Sequence, residues 1–151
     1  MINAIIKTQT ICLWLLCEVI DISTKLLSIN KKLQRFVSEV KFDQNQIAKF
    51  VHQVYKVEDD VYLIIDRTNW KLGETNLNIL MLVLSWNGKG IPLFWKPMDK
   101  RGNSNLDEKM ELLNKFKNAF PKIKIAGLLA DREFIGEDWF MELIKRKFHS
   151  S

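Results

Sequence analysis

Two runs of Ile, Leu, Val and Ala that each stop at an aspartate constrain this chain more than any other feature. VYLIID (61–66) stops at Asp66 and IKIAGLLAD (123–131) at Asp131, and an arginine follows each. Short apolar runs rich in β-branched residues read as buried strands. A carboxylate at the end of such a strand is held by the sheet while its oxygens face an open rim. Oxygen donors fixed in that way suit a divalent cation. Asp also closes strands simply as a turn former, so the elements lying between the two segments decide what the pair means.

Val61 to Ile65 reads as a first strand, followed by a loop, RTNWKLGETN. Leu77 to Trp86 is a long apolar second strand. Asn87-Gly88 then gives the strongest short hairpin signal, because a type I′ turn needs positive φ at both central residues. Ile91 to Trp95 returns as a third strand, stopped by Pro97. The segment NSNLDEKMELLNKFKNAF predicts an amphipathic helix with a capping box of Asn105 and Glu108. Leu106, Met110, Leu113, Phe116 and Phe120 line one side of it, and Pro121 ends it. Ile123 to Ala130 is the fourth strand, and a last helix runs from about Ile135 to Lys147 with Phe140, Leu143 and Ile144 inward. Three consecutive strands suit an antiparallel meander. A helical crossover then returns the fourth strand parallel to the first and beside it. Asp66 and Asp131 become neighbours in that arrangement, as two-metal chemistry requires of its carboxylates.

Residues 1–56 read as a helical N-terminal region and 57–151 as the α/β domain. Ile11, Leu15 and Ile22 fall at helical spacing, Leu26, Leu33, Phe36, Val37 and Val40 continue it, and Asn30 marks a break between two helices. Asp43 is a candidate N-cap for a helix with Ile47, Phe50, Val51 and Val54 on its apolar side. Cys12 and Cys17 form no CxxC and have no Cys or His cluster to complete a zinc site, so they read as reduced, buried thiols. ICLWLLC is shorter than the roughly 20 residues a bilayer span needs and reads as a buried helix segment of a cytoplasmic protein that does not engage membranes.

The net charge is +5, and residues 61–151 carry 15 basic and 11 acidic side chains against 8 and 7 in residues 1–60. A basic excess around two acids suits a polyanionic substrate. Thr68, Lys96, Lys100, Arg101 and Arg132 are candidate phosphate contacts, and Lys145, Arg146 and Lys147 form a second basic cluster. A solvated surface suits the basic side chains somewhat better than phosphate contact, and a turn role suits Thr68 equally well. Trp70, Trp86, Trp95 and Trp139 can stack on bases but fit core or rim packing better. His52 and His149 have no partners in sequence.

The order of elements, with acids at those two positions, resembles the ribonuclease H-like catalytic core. LIIDRTNW and LLADREFIGEDWF resemble the segments around the first and second catalytic aspartates of the DDE transposases of bacterial insertion sequences. In those segments an apolar strand runs into Asp-x-Thr, and another into Asp-Arg-Glu or Asp-Arg-Gly. The matches are Asp66, Arg67 and Thr68, and Asp131, Arg132 and Glu133. The resemblance covers about residues 58–148. It implies catalytic and metal-ligating roles for Asp66 and Asp131, and Mg²⁺ or Mn²⁺ as cofactor, two ions in the complete enzyme. The implied partners are the double-stranded terminal inverted repeats of the element and the full-length transposase as an oligomeric companion. The family's third acid is a Glu in a Tyr, Arg, Glu, Lys motif beyond a large insertion, and no residue of this sequence matches it. The resemblance therefore implies a core incomplete at its C-terminus, inactive by itself. Two other readings stand beside it: a non-catalytic DNA-binding or inhibitory protein derived from a transposase, and a complete nuclease in which Glu133 or Glu137 serves as third acid.

Overall fold

The computed structural model describes the chain except for residues 21–22, 58–59, 73, 99–103, 132–133, 135 and 146–151, and the side chains at 70, 72 and 75. The chain divides into two compact units, Met1–Phe42 and Asp43–Ser151.

The first unit holds α1 (Ile2–Thr8), α2 (Leu13–Val19) and α3 (Leu26–Glu39). Its core is small: Ala4, Leu16, Cys17, Ile29 and Leu33. Asn30 does not break a helix. α3 runs through it, because Ile29 and Leu33 bury one stripe on either side of it while Asn30 takes the flank. The apolar positions predicted to face inward are largely outside: Ile11, Leu15, Leu26, Phe36, Val37 and Val40 are all exposed. Two seven-residue helices are too short to cover the stripe of a fourteen-residue one. Ile22 lies outside the described residues. Of ICLWLLC only Leu16 and Cys17 are buried, and Trp14 is exposed. The two thiols differ accordingly. Cys17 donates to the Leu13 carbonyl at 3.0 Å from inside the core, whereas Cys12, the residue before α2, is exposed. Among the described residues no single helix is long and apolar enough to cross a membrane; α1 and α2 reach that length only together, across a 97° bend.

The second unit is an α/β structure containing α4 (Gln44–Tyr55), β1 (Val61–Leu72), β2 (Thr75–Trp86), β3 (Lys89–Pro97), α5 (Leu106–Ala119), β4 (Ile125–Ala130) and α6 (Glu137–Lys145). The strands form one mixed sheet in the order β3-β2-β1-β4. β1 pairs with β2 antiparallel and with β4 parallel, and β2 pairs with β3 antiparallel. The meander, the helical crossover and the parallel return of the fourth strand therefore all occur. Asn87 (φ 48°) and Gly88 (φ 73°) both take positive φ, as the type I′ hairpin requires. The capping box of Asn105 and Glu108 is formed from both sides. Asp43 accepts from the Asn45 amide and caps α4.

Alternation sorts the sheet into two faces. Val61, Leu63 and Ile65 of β1, with Leu80, Leu82 and Leu84 of β2, pack beneath Ala48 of α4 and Met110, Leu112, Leu113 and Phe116 of α5. In β3 the register slips by one between Leu82 and Val83. This bulge turns the consecutive residues Leu93 and Phe94 into the same core, where each is at most 2% exposed.

The expected division at 56/57 followed the change from helix to strand, but α4 belongs with the sheet. Ala48 and Val51 pack into the sheet core, while Phe50 and Val54 are exposed, so the face that packs is rotated from the one the apolar spacing predicts. The Gln44 amide also bonds the β3 edge twice, donating to the Trp95 carbonyl at 2.9 Å and accepting from the Trp95 N–H at 3.3 Å. A side-chain amide thus replaces one rung of a missing neighbour strand. α6 is rotated similarly: Trp139 and Leu143 face inward, and Phe140 and Ile144 are exposed.

Candidate metal centre

β1 does not end at Asp66. It continues to Leu72, because pairing with β2 goes on past the apolar run of β1 itself, from Asp66↔Met81 through Thr68↔Ile79 to Leu72↔Thr75. The element that ends at this level is its parallel neighbour. The β1–β4 register runs Leu63↔Leu128, Ile64↔Leu129 and Ile65↔Ala130, and β4 stops there. Asp66 and Asp131 are the next residues along the two paths. Neighbouring strands lie about 4.8 Å apart, so positions 66 and 131 lie side by side where β4 ends.

Side-chain alternation puts Asp66 on the face opposite α4 and α5, together with Tyr62, Ile64 and Thr68. Asp66 and Asp131 are both exposed. Asp66 Oδ1 accepts from the Arg67 N–H at 2.7 Å, which fixes one oxygen of the carboxylate against its own backbone. Gly127 leaves space for a neighbour on the same face: a Cβ there would lie 2.8 Å from the Tyr62 ring, so the ring leans across β4. The Phe134 N–H donates to the Asp131 carbonyl at 2.9 Å, and Phe134 (1% exposed) lies in the core.

Carboxylate oxygens are the donors that Mg²⁺ and Mn²⁺ prefer, and such ions keep several waters. Asp66 and Asp131 can supply part of one coordination sphere, leaving the rest to water or phosphate. Among the described residues no group of three His, Cys, Asp or Glu comes together. Glu137 begins α6 as a first-turn acid, and Glu133 lies outside the described residues.

The candidate phosphate contacts separate. Thr68 is half-buried in β1 on the Asp66 face. Lys96 is held by Glu111 of α5, which also binds Lys115 at 2.9 Å. Lys100, Arg101 and Arg132 lie outside the described residues, as do Arg146, Lys147 and His149. Trp139 is buried and Trp86 packs against the core, as expected of packing residues; the Trp70 side chain is outside the described set. His52 stacks on Phe120 with centroids 5.2 Å apart, a packing role. Sequence reasoning missed Gln44 and Lys109, since nothing in a polar residue's immediate neighbours shows that it meets a strand edge or a pair of rings.

The Lys96–Glu111–Lys115 cluster carries a pH signature. Hydrogen bonds from Lys96 and then Lys115 hold the Glu111 carboxyl below the ordinary glutamate range, and the bond to Glu111 raises Lys96. A depressed carboxyl stabilises the fold above its unfolded pKa, and that stability is lost as pH falls through the folded value. The raised lysine contributes below its unfolded pKa and loses its share as pH rises through the folded value. The side chains are 34% and 42% exposed, so solvent screening keeps the pair's contribution below about 1 kcal/mol. Denaturation midpoints of Glu111→Gln are expected to fall less than those of the parent between about pH 5 and 3. Parallel curves would show that the ion pair contributes nothing.

Compared with protein-family models, characterised proteins and solved structures, the chain matches none of them. Its functional reading therefore stands on the residues and on the geometry of the sheet.

Proposed function

We propose that this chain is part of a DDE transposase whose sheet unit is a ribonuclease H-like core. Asp66 and Asp131 are two of its three metal-ligating acids. The observation that carries this reading is the parallel register Ile65↔Ala130, which brings the two aspartates to adjacent positions although 65 residues separate them. Register alone is generic to α/β sheets; the support comes from register together with Asp-Arg-Thr and Asp-Arg-Glu at those positions. The substrate is double-stranded DNA at the inverted repeats of an insertion sequence. Asp66 and Asp131 would hold divalent metal, which when bound would supply Lewis-acid chemistry for an in-line displacement at phosphorus. The part of this chain is to hold carboxylates at the sheet's open end and to offer Thr68 and the basic residues Lys100, Arg101 and Arg132 to the phosphate backbone. Lys96 contributes less, being engaged by Glu111.

With the two acids that the described residues place side by side, the chain is proposed to hold one ion weakly and not to cut DNA by itself. Incubation with Mg²⁺ or Mn²⁺ and duplexes carrying the element's ends is expected to leave the DNA intact. Clean nicking that disappears in Asp66→Ala would refute inactivity. It would favour the complete-nuclease reading if Glu137→Ala also abolished the nicking. Salt-sensitive binding to inverted-repeat duplexes, unchanged by Asp66→Asn, would instead favour the non-catalytic DNA-binding reading.

A further inference from the structure

Lys109, on α5, is only 8% exposed, although a lysine on a helix surface is ordinarily solvated. Its ammonium lies 5.1 Å from the centroid of the Phe134 ring and 5.2 Å from that of Trp139, within cation–π range of both. The two rings belong to the segment that leaves Asp131. The Phe134 N–H donates to the Asp131 carbonyl, and Trp139 lies in the first turn of α6. A methionine or leucine would fill the same space without taking a charge out of water. The ammonium instead lies against two rings that follow Asp131 in the chain.

We propose that Lys109 is a positioning residue for the Asp131 carboxylate. The ammonium grips the Phe134 and Trp139 rings, the Phe134 N–H holds the Asp131 carbonyl, and the carboxylate is thereby kept at the level of Asp66. The inference rests on the reading of Asp66 and Asp131 as metal ligands. It adds to that pair an outer layer that touches neither ion nor substrate. Groups behind the ligands of a metal site fix their orientation, and their loss typically lowers metal affinity 10–100-fold.

Mn²⁺ binding to the full chain, followed by the loss of the free-ion electron paramagnetic resonance signal, tests it. Lys109→Met keeps the stem and removes the charge, and is expected to weaken Mn²⁺ about tenfold while the unfolding midpoint without metal moves little. Lys109→Arg, which keeps the cation over the rings, is expected to recover most of the affinity. Lys115→Met, on the same helix but tied to Glu111, is expected to bind as the parent does. Phe134→Leu removes one ring and leaves the ammonium; its expected several-fold loss of affinity decides the matter if Lys109→Met does not fold, and parent-like binding by it would then overturn the role. Parent protein that binds no Mn²⁺ would overturn the metal reading and this role with it. Parent that binds, Asp66→Asn that does not, and Lys109→Met that binds like the parent would overturn the positioning role alone. Equal loss in Lys109→Met and Lys115→Met would also overturn it, by showing a general effect of charge.

Discussion

Asp66→Asn is expected to remove Mn²⁺ binding from this chain altogether. The substitution keeps shape and the acceptor oxygen that takes the Arg67 N–H, so the sheet has no reason to change. It takes one of two negative charges from a site that has no third acid among the described residues. Weak oxygen sites for dications bind at roughly 10⁻⁴–10⁻³ M. A two-carboxylate site falls at the weak end of that range, and loss of half its charge moves it beyond measurement. Asp131→Asn is expected to do the same, and the double variant to lose nothing further, because in the proposed site both carboxylates serve one ion and their effects are not additive. Glu137→Gln is the informative control: affinity within about twofold of the parent leaves the pair by itself, whereas a large loss would show α6 bringing a third ligand. If Asp66→Asn bound as well as the parent, the pair would have no role as ligands.

The same pair shows what the sequence could convey. Periodicity, the Asn-Gly turn and the capping box are local signals, and each found its element because its physics acts within a few residues. Strand order was also accessible, since a helical crossover allows few ways back to a sheet. The extent of β1 was not. An apolar run reports burial rather than pairing, and past Asp66 the strand stays paired with β2 after β4 has stopped. Asp66 thus came to the correct neighbour for an incomplete reason: it marks the end of the strand beside it, not of its own.

Faces were read less well than elements. In α4 the spacing Ile47, Phe50, Val51, Val54 satisfies a helical stripe, yet Ala48 is the fully buried position and Phe50 is 65% exposed. A small residue allows α4 to approach the sheet, and Gln44 fixes the rotation by bonding the β3 edge at Trp95. Neither is visible in a count of apolar residues. Lys109 is the same failure at the candidate site, a charge placed by rings 25 and 30 positions away in sequence. What the sequence conveyed was which two strands lie side by side. What it withheld was the proposed support behind Asp131, because that support turns on a lysine, a residue type that alone says surface.

The support depends on α5 lying firmly on the sheet, and Phe116 is the largest fully buried side chain of that helix. The side chain is 1% exposed, packs 5.2 Å from Phe120 with the rings tilted by 49°, and lines an apolar cavity of about 10 Å³ with Val57, Val61, Leu84 and Leu93. That space is at the lower limit for one water, and its lining offers water no hydrogen bonds. Phe116→Ala would add the volume of a ring to it, between a helix and strands that are hydrogen-bonded on both sides and so unable to close in. Buried Phe→Ala changes cost about 3–5 kcal/mol, and the tilted contact with Phe120 accounts for about 0.5–1.5 kcal/mol beyond area alone. Domains of this size have roughly 5–15 kcal/mol in total, so the sheet unit is expected to be largely unfolded or close to it at 37 °C. Phe116→Leu, which keeps most of the volume, is expected to cost under about 1.5 kcal/mol. Urea titrations should show the midpoint falling with the slope unchanged. A loss under about 1 kcal/mol for Phe116→Ala would show that α5 is held to the sheet elsewhere. Because Lys109 lies seven residues earlier on the same helix, a destabilised but folded Phe116 variant should also bind Mn²⁺ more weakly than its folded fraction accounts for. That residual loss would come from the helix carrying the aromatic grip away from Asp131.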